Sequence, residues 1–319
     1  MSVKFPVRTQ GALRRRVTLV LSLALALALL LTATPAAFAQ DAGEPVTLLL
    51  GQLATGDFTA GDSVTYIIDL PESTSYVITT GDEAEAAKFT LAITDRRGDE
   101  VFNDVFQTTQ LDLKGGDHAF TLTANEDATL SLFVTGQLGE LSAEYGDGAL
   151  DNGSFVTAED VEGVLYAELD IEETDFWQQA FLTASGDEGD SYSIYISGEN
   201  AYASISDSSV EGPAVFWTQG GRYHVEITPV TGGNSLTAVV LLSGPVPALT
   251  VGEEMAGTLN PGTTQKAYRF NVDEAGLQFT VTLAADTTDV DMDMAVSINP
   301  TTDTWSSYNS DSNEVLTFV

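Results

Sequence analysis

The stretch Ala60–Leu70, AGDSVTYIIDL, has counterparts at Val161–Ile171, VEGVLYAELDI, and at Asn260–Val272, NPGTTQKAYRFNV. Their glycines, Gly61, Gly163 and Gly262, stand 102 and then 99 residues apart. A second motif repeats with them. Leu111–Leu122, LDLKGGDHAFTL, carries Gly115-Gly116, and Val215–Ile227, VFWTQGGRYHVEI, carries Gly220-Gly221, 105 residues on. A fixed period of this length marks tandem copies of one structural unit. The third copy reaches EVLTFV at Val319 where its own Gly-Gly turn is due, so it is expected to be incomplete at that end.

Within each copy, apolar and polar residues alternate over short runs. Val64–Leu70, Phe89–Ile93, Ala119–Leu122 and Leu130–Val134 belong to the first copy. Tyr166–Ile171, Tyr192–Ile196, Tyr223–Ile227 and Leu236–Leu242 belong to the second. The third holds Ala267–Val272, Phe279–Leu283, Val290–Val296 and Val315–Val319. A period of two with frequent turn residues predicts antiparallel sheets with one wet face. Ala119–Leu122 and Leu130–Val134 are expected to pair as a hairpin across Asn125–Asp127. The fold class is all-β: tandem antiparallel, jelly-roll-like β-sandwiches after an N-terminal signal peptide. The expected divisions are 46–138, 155–243 and 246–319, with a Gly-rich linker over 139–154 and a stiff hinge at Ser243–Pro247, where proline fixes φ.

Residues 1–39 read as the signal peptide. Lys4, Arg8, Arg14, Arg15 and Arg16 precede the uncharged run Val17–Leu31, and Ala37-Phe38-Ala39 places cleavage before Gln40. Retention of the segment as an anchor is the alternative reading; no later stretch is apolar enough to span a bilayer. Cleavage leaves seven Lys and Arg against 47 Asp and Glu, a formal charge of −40. Such a surface repels phosphate backbones and argues against nucleic-acid binding. The absence of cysteine means that packing alone holds the units together.

The third copy resembles the bacterial pre-peptidase C-terminal domain family. The resemblance rests on Val251-Gly252-Glu253, Gly257-Thr258-Leu259, Pro261-Gly262, the run Tyr268–Val272, the alternating Asp289–Met294 and the polar turn Asp311–Val315. The first two copies share the rhythm and the Gly-Gly turn but lack the D-x-D-x-D run. The family resemblance implies a sandwich that accompanies secreted peptidases without performing cleavage, with roles in export, stabilisation or attachment to substrate or matrix.

Candidate functional residues are few. Asp289, Asp291 and Asp293 share one face of an expected strand, their carboxylates about 7 Å apart, and calcium would relieve their repulsion. The same pattern also reads as a solvated acidic face, and it is not an EF-hand, since Met294 and Pro300 occupy the positions of its glycine and late glutamate. Trp217 is expected to point outward, as a platform for sugar rings, with Trp305 and Tyr308 forming a second one. Packing between units is the structural alternative for these rings. His118 is expected at the edge of the core and His224, in the opposite phase beside Glu226, in solvent. No cysteine, GxSxG elbow or HExxH pattern is present. The expected protein is therefore secreted and non-enzymatic within these residues, with no cofactor besides the candidate calcium. It would bind or space partners near polysaccharide, extracellular matrix or cell-surface protein. The alternative is the accessory region of a secreted peptidase or other hydrolase whose catalytic domain lies beyond Val319.

Overall fold

A computed structural model of the chain describes residues 45–80, 82–199, 201–245, 248–252, 268–270, 278–284, 294–297, 304–307 and 313–318. These residues form two compact units, the first running through both leading copies to Ala248.

The first copy builds β1 (Val46–Thr47), β2 (Ala54–Phe58), β3 (Ser63–Leu70), β4 (Thr74–Thr79), β5 (Phe89–Asp95), β6 (Glu100–Val105), β7 (Thr109–Leu113), β8 (Gly116–Ala124) and β9 (Ala128–Gly136). They assemble into a five-stranded sheet, β1-β3-β8-β5-β6, facing a four-stranded sheet, β2-β9-β4-β7. The second copy builds β10 (Ala149–Asp151), β11 (Phe155–Glu159), β12 (Leu165–Ile171), β13 (Gln178–Ser185), β14 (Ser191–Gly198), β15 (Tyr202–Ile205), β16 (Ala214–Thr218), β17 (Gly221–Thr231) and β18 (Ser235–Leu242). Its sheets, β10-β12-β17-β14-β15 and β11-β18-β13-β16, reproduce the first pair strand for strand. Single-turn helices differ in place: α1 (Glu83–Ala86) follows β4, whereas α2 (Ser208–Glu211) follows β15.

The alternating runs do what their period requires. In β3, Tyr66, Ile68 and Leu70 are buried, and in β8 His118, Phe120, Leu122 and Ala124 are buried, with the intervening residues turned outward. Together with Tyr76, Phe89, Leu91 and Leu132 they form the interior of the first sandwich. The second interior is equivalent, around Leu169, Leu182, Tyr192, Ile194, Phe216 and Val225. The expected hairpin between β8 and β9 does not form. β8 pairs with β3 and β5, and β9 pairs with β2 and β4, so the chain crosses from one sheet to the other between them. Short linkers allow either outcome, and the apolar faces of both strands are satisfied across the sandwich rather than side by side.

The outer faces of the four-stranded sheets are dry over most of their central strands, contrary to expectation, while Gln110 and Asp112 of β7 stay exposed. Leu53, Val77 and Phe133 of the first copy and Phe155, Phe181, Val239 and Leu241 of the second form a third apolar cluster. These residues point away from their own interiors, so the two sandwiches pack back to back through their four-stranded sheets. β13 is consequently buried along nearly its whole length, QQAFLTAS, as is β18. A strand dry on both faces loses its alternation.

The junction repeats after 102 residues. Leu242 N–H donates to Gly51 O at 2.9 Å, and Gly136 N–H donates to Gly153 O at 2.9 Å, so each copy hydrogen-bonds to the last strand of the other. Both glycines have positive φ, +76° and +74°, and a Cβ on Gly51 would lie 2.4 Å from Gly153 Cα. The segment 139–154, read from sequence as a linker, belongs to this junction. It contributes β10, buries Leu150, and forms bridges from Glu140 to Ala149 and from Ser142 to Tyr166. Its small residues permit close approach of backbones rather than flexibility.

In the other unit, β19 (Phe279–Ala284) pairs with β22 (Asn313–Phe318), and β20 (Met294–Ser297) pairs with β21 (Thr304–Ser307), all antiparallel.

Candidate functional site

Asp289, Asp291, Asp293 and Tyr308 lie outside the described residues, as does the proposed signal peptide. Trp305 falls in β21 with its backbone opposite Val296, and its side chain is outside the description. Trp217 is in the outward phase of β16, while Phe216 beside it is buried against Tyr223 with ring centroids 4.8 Å apart. Trp217 pairs with Gln179, itself buried, and is half-buried. Val215, on the same face, packs on the apolar cluster between the sandwiches. Trp217 therefore stands at the margin of that seam.

His118 is buried, as expected, and its Nδ1 donates to Gly116 O at 2.8 Å. His224 is on the outer face of β17, also as expected, but only 15 % of its side chain is exposed. Tyr145, reaching over from the segment 139–154, covers it with ring centroids 4.6 Å apart.

Among the described residues, this outer face of the five-stranded sheet of the second copy gathers the most aromatic and charged side chains. Strand register sets it out in two rows. Tyr166, Glu226 and Tyr195 are direct neighbours across β12, β17 and β14, and Ser204 of β15 extends the row. One step along, Glu168, His224, Ser197 and Tyr202 form the second row. The inward partners in these strands, such as Ala167, Val225 and Ile194, are fully buried and hold the backbone rigid beneath the face.

Two aromatic groups stand on it. At one end Tyr145 meets Tyr166 edge-on at 5.5 Å, and Tyr166 lies over His224 at 6.0 Å and 24°. At the other end Tyr195 and Tyr202 meet edge-on at 5.4 Å. Between them His224 Nδ1 lies 3.3 Å from Glu168 Oε1 and its Nε2 lies 3.2 Å from Glu226 Oε1. The imidazole is thus clamped by two carboxylates, whose remaining lone pairs stay available to hydroxyl or amine donors. Arg222 and Asp170 form an exposed pair at 3.5 Å beyond the second row. Among the described residues the exposed aromatic side chains are Tyr145, Tyr195 and Tyr202, and all three gather here. Isolated exposed aromatics need no explanation, whereas a contiguous group marks a contact surface.

Sequence reasoning missed this face. The signal was present in the outward phase of three consecutive alternating runs, Tyr166-x-Glu168, Tyr195-x-Ser197 and His224-x-Glu226, but the strand order that brings them together is not local information. Among the described residues no three His, Asp or Glu side chains converge as a metal site. No helix among them is long and apolar enough to cross a membrane.

No family model matches the chain, and no curated protein does either. Solved structures do align with it. The pre-peptidase C-terminal domain of collagenase from Bacillus anthracis matches at 16 % identity and a TM-score of 0.26, covering 30 % of this chain and 99 % of that one. The CUB1-EGF-CUB2 domains of rat MASP-1 match at 9 % identity and a TM-score of 0.21, covering 61 % of this chain and 100 % of theirs. An iolB-like protein from Salmonella typhimurium matches at 12 % identity and a TM-score of 0.20, covering 61 % and 83 %.

Proposed function

We propose that the chain is a secreted, non-catalytic binding protein that holds an appended or partner protein near polysaccharide, matrix or cell surface. The observation that carries this reading is the gathering of every exposed aromatic among the described residues on one rigid sheet face. Two further features support it. The back-to-back packing of the sandwiches covers the middle of both four-stranded sheets, so the outer faces of the five-stranded sheets are the broad surfaces left for a partner. The basic and apolar segment before Gln40 supports export.

The test is retention of the purified chain on insoluble polysaccharides and on collagen, alongside Trp217→Ala and Trp305→Ala variants. Retention on at least one matrix is expected. Failure to bind any matrix, or hydrolytic turnover of one, would overturn the reading.

A further inference from the structure

We infer that the outer face of the second sandwich is a binding site for a neutral, β-linked polysaccharide lying across the strands from Tyr145 to Tyr202. This inference rests on the binding reading above and adds the class of ligand and its path.

The path follows from the register. Tyr166 and Tyr195 flank Glu226 in one row, two strand spacings apart, which is about 9.6 Å. The disaccharide repeat of an extended β-1,4-linked chain is close to that distance. Such a chain turns flat, apolar ring faces toward a surface at every second sugar, and aromatic rings two strands apart meet them in step. Tyr145 lies over the Tyr166 end and Tyr202 beside Tyr195, so each end of the row has an exposed ring, 70 % and 64 % accessible. A tyrosine offers an apolar face and a hydroxyl rim together, which suits a partner that is apolar on one side and hydroxylated at its edge. In the middle, Glu226 and Glu168 are held in place by His224 and present carboxylate oxygens to sugar hydroxyls.

The ligand's charge follows from the protein's. The formal charge is −35 for the whole sequence, and the face itself carries two carboxylates, Glu226 in one row and Glu168 in the next. A polyanion such as a uronate polymer or a nucleic acid would be repelled on approach. A neutral polymer incurs no such penalty. The outer face of the first sandwich is the internal control. Its equivalent rows hold Thr65, Thr121 and Ala92, then Ile67, Ala119 and Thr94, with Thr65 and Thr121 hydroxyls bonded to each other at 2.9 Å. It has the same shape without the rings.

The experiment is affinity electrophoresis of the full chain in native gels containing hydroxyethyl cellulose, glucomannan or polygalacturonate, with collagen-coated beads in parallel. Retardation is expected in at least one of the neutral β-linked polymers and not in polygalacturonate. Tyr145→Ala and Tyr195→Ala should each weaken it about tenfold, the upper range for one aromatic contact, and Thr121→Ala should leave it unchanged. Both tyrosines are exposed, so an unaltered thermal midpoint will show that each variant is folded. Retardation that survives the Tyr145→Ala/Tyr195→Ala double substitution would overturn the site, and equal retardation by polygalacturonate would overturn the ligand class. Retention on collagen alone would overturn the polysaccharide while leaving the binding reading intact. Loss of all retention would sink both.

Discussion

The two sandwiches share a topology strand for strand and differ in what they do with their outer faces. In the first, these outer rows of the five-stranded sheet are threonine, alanine and isoleucine, with Thr65 and Thr121 hydrogen-bonded sideways. In the second, the same rows are tyrosine, glutamate and histidine. Their inner faces are interchangeable in kind: Phe120 and Leu122 answer to Val225 and Ile227, and His118 answers to Tyr223, buried in both cases. The difference teaches where each copy is free to vary. Positions facing an interior or the shared seam are fixed by burial, and positions turned to water carry whatever distinguishes one copy from the other.

The seam is the strongest statement of what the copies share, and breaking it should have the largest effect. Phe133 and Phe181 come from different copies yet belong to one cluster. Phe181→Ala should cost about 3–5 kcal/mol, as large aromatic truncations in buried sites do. Combined with Phe133→Ala in a urea-denaturation cycle, the two costs should fall short of or exceed additivity by about 0.5–3 kcal/mol. Strict additivity would mean that the sandwiches are beads rather than a fused pair.

The junction glycines test the same relation at finer scale. Gly51→Ala places a methyl into the backbone of Gly153 and forces a residue with a side chain to hold φ +76°. A cost of about 1–3 kcal/mol from strain alone is expected, with the overlap added to it. Gly61→Ala is the comparison. Its φ is +94° but no atom lies within 4 Å of the added methyl, so it should lose less. Equal losses would remove the close approach of the two copies from the explanation.

Much of this was legible in the sequence, and the limit has a physical form. Runs with one wet face, such as Val64–Leu70 and Tyr223–Ile227, alternate and announce themselves. The central strand β13 of a four-stranded sheet does not. β13, QQAFLTAS, is buried on both sides and gives no period of two, so the seam was invisible. The segment 139–154 misled for a related reason: its glycines and small polar residues have the composition of a linker, while Leu150 is buried in the second interior and Gly153 packs on Gly51 of the first copy. The tyrosine face was unreadable because its members lie on separate strands and one, Tyr145, on a loop. Only the strand order makes them neighbours.

A smaller asymmetry lies at the end of the core. Gln178 and Thr74 occupy equivalent positions, opposite Thr218 and Leu113. The Thr74 hydroxyl donates to Gln137 O at 3.2 Å. The Gln178 side chain is fully buried, and neither its Oε1 nor its Nε2 has a partner among the described residues. An unpaired buried amide costs about 1–3 kcal/mol, and removing it in a residue of similar shape is neutral or stabilising. Gln178→Met should therefore raise stability in urea denaturation by about 1 kcal/mol. A loss of that size would mean that the amide is hydrogen-bonded after all.

Asp151 offers the gentlest comparison, because only the second copy carries a carboxylate there; the position 102 residues earlier is Leu49. Burial lifts the Asp151 carboxyl above its ordinary value, and Asp170, its direct neighbour in β12, and Glu72 push it the same way. A raised carboxyl pKa in the folded chain means that ionisation opposes folding. The contribution is fully favourable below the ordinary value of 3.8 and is lost as pH rises through the raised one. Asp151→Asn should therefore match the parent near pH 3 and gain on it as pH climbs toward 6. The carboxyl is only partly buried, so salt should shrink the gain. Thermal midpoints of the two proteins measured across that range give the answer: a difference that stays flat with pH would show that the carboxylates around Asp170 do not feel one another through this strand pair.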